Sequence, residues 1–262
     1  MSLDNKVIWI TGASSGIGEA LAHALVAKNS RLIISARNEA ALQAIKTNYP
    51  SALIEVLPFD LLDFDTTPAV VAKAISFFGK IDVLVNNGGI SQRSLIAETD
   101  FAVDKIIMDV DYFGTIVLTK ALLPHFIQNQ SGHYVTVTSL MGKFGSPYRS
   151  GYCAAKHALH GYFDVMRMEH EKDGVAVTLV CPGFVQTNVA INALTADGSP
   201  QVKNSETTAN GMLVSDFIPK MVRAMEQKKF EVYIGKKEVL GIYLKRFLPK
   251  YLHKVVLKSK VN

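Results

Sequence analysis

Cysteine is scarce in this chain: Cys153 and Cys181 are the only two among 262 residues. Two thiols cannot build the disulfide framework of a small secreted scaffold. Both fall in segments that read as helix or strand, so reduced thiols in a reducing compartment are expected. Long apolar runs are missing too, with no stretch of about 18 such residues to carry a helix across a bilayer. Repeats and low-complexity tracts are absent. Residues 1–10 (MSLDNKVIWI) enter an apolar strand directly, without the cleavage site of a secretory leader. A soluble, cytoplasmic protein is the expectation. What is plentiful is apolar content, at 48% against 19% charged residues, which excludes disorder and supplies one large core.

Excess positive charge is confined to one end. The net charge is +5, yet residues 236–262 alone hold eight basic residues (Lys236, Lys237, Lys245, Arg246, Lys250, Lys254, Lys258, Lys260) against Glu238. The preceding 235 residues carry 20 basic and 22 acidic side chains. A body that is mildly acidic, without a DNA- or RNA-reading motif, argues against a nucleic-acid partner. The same terminal segment carries apolar positions between its lysines, and Pro249 divides any helix there. It reads either as an element packed on its own domain or a partner subunit, or as a basic amphipathic element resting on an anionic membrane.

Along the body, short continuous apolar runs at 7–10, 31–35, 53–57, 81–85, 134–138 and 175–180 have the look of strands buried on both faces. Helical spacing fills the intervals, at 17–28, 40–49, 68–78 and 101–128, with a further helix near 215–227 and a strand near 230–234. Strand and helix in alternation mean an α/β protein built on a parallel sheet with right-handed crossovers. Residues 1–235 form one catalytic domain in this reading. The polar, small-residue stretch 188–213 follows a strand's carboxyl end and is expected to cover a ligand crevice as a lid.

Four features carry chemistry. The first strand ends in Thr11-Gly12-Ala13-Ser14-Ser15-Gly16-Ile17-Gly18, between a buried strand and an amphipathic helix. Gly12 allows the tight turn, Gly16 the approach of a pyrophosphate and Gly18 close helix–strand packing, with the helix N-terminus facing the phosphates. The second strand ends in Ser35-Ala36-Arg37-Asn38, and the nearest acid, Glu39, already enters the next helix. An arginine there suits a 2′-phosphate, so NADP(H) is preferred over NAD(H). Tyr152 and Lys156 stand one helical turn apart. An ammonium beside a phenol favours the phenolate, which makes the tyrosine an acid/base for a carbonyl or alcohol oxygen. Ser139, just past a buried strand, either hydrogen-bonds a substrate oxygen or caps a turn.

Together these residues resemble the short-chain dehydrogenase/reductase family over essentially the whole chain. Further matching marks are Asp60 after the third strand, Asn86-Asn87-Gly88-Gly89 after the fourth and Pro182-Gly183 after the sixth. The stretch at 150–162 (SGYCAAKHALHGY) looks most like the branch of membrane-associated reductases of steroids, retinoids and lipids. The resemblance implies a single-domain, doubly wound Rossmann sheet of about seven parallel strands with helices on both faces. It also implies NAD(P)-dependent carbonyl reduction or alcohol oxidation on a small-molecule substrate, in a homodimer or homotetramer. By position, Tyr152 is then the acid/base, Lys156 its activator and ribose ligand, and Ser139 the group that orients the substrate oxygen. Asp60 and Leu61 flank the adenine, Asn87, Gly88 and Gly89 approach the cofactor, and Pro182, Gly183, Val185 and Thr187 border the nicotinamide. Apolar Leu140, Met141, Phe144 and Phe184 near the site suit either a bulky, lipophilic substrate or the core equally well.

Two positions depart from the family pattern. Gly88 replaces an alanine, a change expected to be tolerated. Asp111 replaces an asparagine that helps to hold a water linking the lysine to solvent, and its charge is expected to offset part of the lysine's effect. Asp111 also leaves room for an alternative, an NADP(H)-binding sensor or scaffold with weak turnover.

Overall fold

The computed structural model describes residues 1–202 and 206–259. Its strands are β1 (Val7–Thr11), β2 (Arg31–Ser35), β3 (Ile54–Val56), β4 (Val83–Asn86), β5 (Gly132–Val137), β6 (Val175–Pro182) and β7 (Glu231–Ile234). They form one sheet in the order β3-β2-β1-β4-β5-β6-β7, every pair parallel. The helices are α1 (Gly16–Val26), α2 (Glu39–Asn48), α3 (Thr67–Phe78), α4 (Phe101–Met108), α5 (Thr115–Gln128), α6 (Ser150–His170), α7 (Glu206–Ala209), α8 (Val214–Glu226), α9 (Leu240–Phe247) and α10 (Pro249–Lys258).

The continuous apolar runs explain the layering. Successive side chains of a strand point to opposite faces. In β1, therefore, Ile8 and Ile10 enter one core while Val7 and Trp9 enter the other. The first core lies under α1 and α8, through Leu21, Leu25, Phe217 and Met221; the second lies under α5 and α6, through Leu118, Leu122, Leu159 and Phe163. Trp9 is fully buried and donates from Nε1 to Ser35 Oγ at 2.8 Å, so its one polar atom is satisfied. The strand order reverses between β1 and β4. Connections leave those neighbouring strands in opposite directions, and a crevice opens at their carboxyl ends.

One expectation needed revision. The single helix over 101–128 is two, because residues Asp109–Gly114 form a π-helical turn between α4 and α5. Such turns shift the helical register by one residue and occur often at functional sites. The terminal segment forms α9 and α10, joined at Leu248 and Pro249. Their inner side, through Ile242, Leu252 and Val256, packs on a third apolar cluster with Leu140, Phe144 and Tyr233. The connection at 188–213 is held at its start by a bridge from Leu194 to Gln92, and at its end by one from Met212 to Val185. Residues 203–205 of that connection and 260–262 of the terminal segment lie outside the described residues.

Candidate active site

The glycine turn after β1 is held open by geometry that larger residues adopt only under strain. Gly12 and Gly16 have φ of +63° and +60°, and a Cβ on Gly12 would stand 2.7 Å from the Cα of Gly88. Thr11 Oγ1 accepts the backbone N–H groups of Asn87 and Gly88, each at 3.0 Å. Asn87 Nδ2 returns the bond, donating to the Thr11 and Gly12 carbonyls at 3.0 and 3.1 Å. The ends of β1 and β4 are thereby clasped together at the bottom of the crevice. Ser15, which precedes α1, has extended backbone and leaves the first-turn N–H groups without a side-chain cap. Those donors and the helix dipole favour an anion there.

From this turn a cleft of about 760 Å³ runs along the carboxyl ends of the strands. It takes in every residue named for the cofactor except Gly18, which stands behind it where a Cβ would lie 2.3 Å from the Gly12 carbonyl oxygen. Close helix–strand packing is thus what Gly18 provides. A Cβ on Gly88 would meet Leu61 Cδ1 at 2.8 Å, so an alanine there needs only that the Leu61 side chain turn aside. Arg37 is 71% exposed at the far end, with Nη1 3.9 Å from Asp60 Oδ2. Such an ion pair in solvent is worth little and leaves the guanidinium free for a stronger anion. Asn38 caps α2 by accepting from Ala41 N at 3.1 Å, and Glu39 begins that helix and does not line the cleft. The size of the cleft, the bare α1 N-terminus and the glycine cradle fit a nicotinamide dinucleotide.

At the other end, α6 carries Tyr152 and Lys156 into the cleft one turn apart. Lys156 Nζ lies 5.5 Å from the centre of the Tyr152 ring and 3.1 Å from Asp111 Oδ2. Asp111 is fully buried in the π-helical turn, and its Oδ1 accepts Ile90 N–H at 2.7 Å. Burial by itself lowers the Lys156 pKa, but the carboxylate beside it, with Tyr152, more than compensates and the net shift is upward. For Asp111, burial pushes the carboxyl up, against the lysine and the Ile90 N–H, which favour the charged form. We read the two as an ion pair, since both oxygens face donors. Asp111 is therefore not merely near the lysine but bound to it. It lies behind the cleft wall, in contact with Lys156 and not with the cleft itself. The tightness is visible at Gly89, where a Cβ would stand 3.0 Å from Asp111 Oδ1 and 3.3 Å from Lys156 Nζ.

Ser139 follows β5, and both readings of it hold. Its Oγ accepts from Met141 N at 3.1 Å, capping a short 3-10 turn, and it lines the cleft beside Tyr152. A second pocket, of about 70 Å³, opens from the same wall and shares Ser139 and Tyr152 with the cleft. Leu140, Met141, Phe184 and Val185 line it. Phe144 does not and takes the core reading instead: its ring turns away under α9, against Gly241. The pocket also contains Ser91, Arg93 and Arg149, which sequence reasoning missed. Arginines in polar loops look like ordinary surface residues, and the one available signal was that Arg149 lies a helical turn before Tyr152.

Comparison with known proteins agrees with this architecture. The sequence model described as short chain dehydrogenase matches residues 6–197. The fruit-fly protein named dehydrogenase/reductase SDR family protein 7-like, from Drosophila melanogaster, is 36% identical over 99% of this chain and 82% of its own. The human dehydrogenase/reductase SDR family member 7 is 38% identical over 95% of this chain and 76% of its own. Among solved structures, a short-chain dehydrogenase from Streptomyces avermitilis superposes with a TM-score of 0.83 at 27% identity, covering 99% of this chain and 100% of that one. A second, a short chain dehydrogenase/reductase from Burkholderia phymatum solved in complex with NAD, gives 0.84 at 20% identity over 96% of each chain, a likeness of fold.

Proposed function

This chain belongs to the short-chain dehydrogenase/reductase family and is an NAD(P)-dependent oxidoreductase; on that premise we propose that it interconverts a carbonyl and a secondary alcohol with NADP(H), using Tyr152 as acid/base. The dinucleotide, when bound, supplies or takes the hydride. Gly12, Ser14, Ser15, Gly16 and the α1 N-terminus hold its phosphates, and Asp60 and Leu61 flank the adenine. Tyr152 Oη gives its proton to the carbonyl oxygen during reduction and recovers it during oxidation. Lys156 favours the phenolate that this cycle needs, while Asp111 holds the lysine in place. Ser139 Oγ already accepts from Met141 N, which leaves its own proton free to bind the substrate oxygen. The observation that carries the reading is the meeting of Ser139, Tyr152 and Lys156 on one wall of the cleft, where the small pocket adjoins it at Ser139 and Tyr152. The residue 188–213 connection, with Val189 and Thr208 in the pocket wall, serves as the lid over the substrate.

The preference for NADP(H) rests on Arg37. Titration of the full chain is expected to give binding of NADPH about tenfold or more tighter than NADH, the worth of one charge-assisted contact to the 2′-phosphate. Arg37→Ala should remove that difference and leave NADH affinity unchanged. Equal affinity in the wild type would refute the preference. No binding of either nucleotide would refute the whole reading.

The outer side of the C-terminal helices favours a second role beside catalysis. Leu240, Tyr243, Phe247, Leu248, Tyr251 and Leu257 are exposed there, Phe247 at 74%, among Lys245, Arg246, Lys250 and Lys254. An apolar face edged with cations suits the surface of an anionic membrane. Full-length protein is expected to sediment with phosphatidylserine vesicles and not with phosphatidylcholine vesicles. Changing those four basic residues to Gln should weaken the binding by up to about a thousandfold, near 1 kcal/mol per cation. An unaltered affinity, or no binding by the wild type, would leave the face to a subunit contact in a homodimer or homotetramer. Exposed Phe113, Val165 and Met168 offer another such contact.

A further inference from the structure

Two guanidinium groups, those of Arg93 and Arg149, line the small pocket beside Ser139 and Tyr152. Arg149 is only 3% exposed, and its Nη2 has no hydrogen-bond partner. Its guanidinium lies over the Phe184 ring, 5.4 Å from the centroid. Arg93 is half-buried; Nη1 donates to Ser91 Oγ at 2.9 Å and to the Gln92 carbonyl at 2.6 Å, and its buried Nε is unpaired. Burial, with the charge of Arg149 adding to it, pulls the Arg93 pKa down to about 10. Among the residues whose side chains the structure describes, which leaves out Glu206, no carboxylate forms an ion pair with either arginine. Glu238 does line the pocket, but its Oε1 is taken by the N–H groups of Phe184 and Lys236 at 3.1 Å each.

Buried arginines are nearly always paired, because removing a charge from water is expensive and two like charges together add repulsion. Here the fold holds both in place. Gln92, fully buried, accepts Gly151 N–H at 2.9 Å and donates to Ser150 Oγ at 3.2 Å. Ser94 N–H donates to the Tyr148 carbonyl at 3.2 Å. These bonds join the segment carrying Arg93 to the one carrying Arg149. Tyr148, next to Arg149, has φ of +65°, a left-handed conformation that a bulky residue adopts only when its surroundings impose it.

We infer that Arg93 and Arg149 bind an oxyanion, a carboxylate or phosphate carried by the carbonyl substrate itself. The inference rests on the carbonyl-reductase reading above and narrows its substrate class. The arginines take the charged group, Leu140, Met141 and Val185 receive the apolar part, and Ser139 and Tyr152 meet the carbonyl. The lipophilic substrate expected from sequence thereby becomes an amphiphile with an acidic head.

The test uses the NADPH-loaded full chain with benzoyl-alkanoates of increasing chain length, their methyl esters and the matching ketone phosphates. At the best length the acid should exceed its ester in kcat/KM by about 100-fold, mostly through KM, as expected for one or two hydrogen bonds to charged groups. The phosphate arm tells which oxyanion fits better. Arg149→Gln should abolish the preference by weakening the acid far more than the ester, and Arg149→Lys should restore part of it. Arg93→Gln, at a less buried position, repeats the test should the Arg149 variants fail to fold. Calorimetric binding to the holoenzyme separates the two levels of the argument. Acids that bind with an arginine-dependent affinity but are not turned over would support the inference and count against the catalytic reading. Acids and esters reduced equally well would overturn the inference and leave the catalytic reading standing. Binding of neither would overturn it too.

Discussion

Replacing Tyr152 by Phe is expected to lower kcat/KM for any carbonyl substrate by about a thousandfold, with nucleotide affinity unchanged. The magnitude is that of a positioned acid/base group, which contributes roughly a hundred- to ten-thousandfold. Phe retains the ring, its packing beside Lys156 and its position at the mouth of the pocket, and removes only the hydroxyl. The phosphate-binding turn lies at the other end of the cleft, so nucleotide titration by fluorescence checks that the cofactor site is intact. Single-turnover reduction under saturating NADPH then reads the chemical step alone. A variant with undiminished turnover would remove Tyr152 from the mechanism. A wild type that binds nucleotide but reduces no carbonyl, neutral or anionic, would favour the sensor alternative.

The layers of the fold could be read from the sequence because their signal is local. Buried parallel strands are continuous apolar runs, and β1, β2, β5 and β6 lie where those runs lie, to within two residues at either end. The clustering of Gly12, Arg37, Ser139, Tyr152 and Lys156 was legible for a related reason: parallel strands bring their carboxyl ends to one edge of the sheet, whatever the intervening helices contain. The π-helical turn at 109–114 was not legible, since apolar spacing there fits an uninterrupted helix and the partners Asp111 meets from that turn, Ile90 N–H and Lys156, are distant in sequence. Nor were Arg93 and Arg149. Their burial depends on Gln92 bridging two loops distant in sequence, a contact no single-segment pattern can encode. Which of its two readings Phe144 takes was hidden for the same reason, since its ring packs against Gly241 of α9.

Asp111→Asn should separate the two roles of the buried ion pair. Breaking such a pair by removing one member costs about 3–5 kcal/mol, because the remaining charge stays buried without compensation. The amide oxygen still accepts Ile90 N–H, so the loss should come from Lys156, and it appears as a large fall in the thermal midpoint of the nucleotide-free protein. Catalysis should respond differently. With the carboxylate gone, the ammonium acts undiluted on the phenol, and the acid limb of the pH–rate profile for alcohol oxidation moves to lower pH. Burial, no longer opposed by Asp111, also pulls the lysine pKa down, so activity that depends on the ammonium fails earlier on the alkaline side. The profile narrows and shifts toward acid. An unmoved acid limb would mean that Asp111 only anchors the lysine and leaves the phenol unaffected. Adding Lys156→Met to the variant removes the stranded charge. It should recover much of the lost stability and none of the lost activity, a split that follows if the pair is held for the chemistry of Tyr152 and not for the stability of the fold.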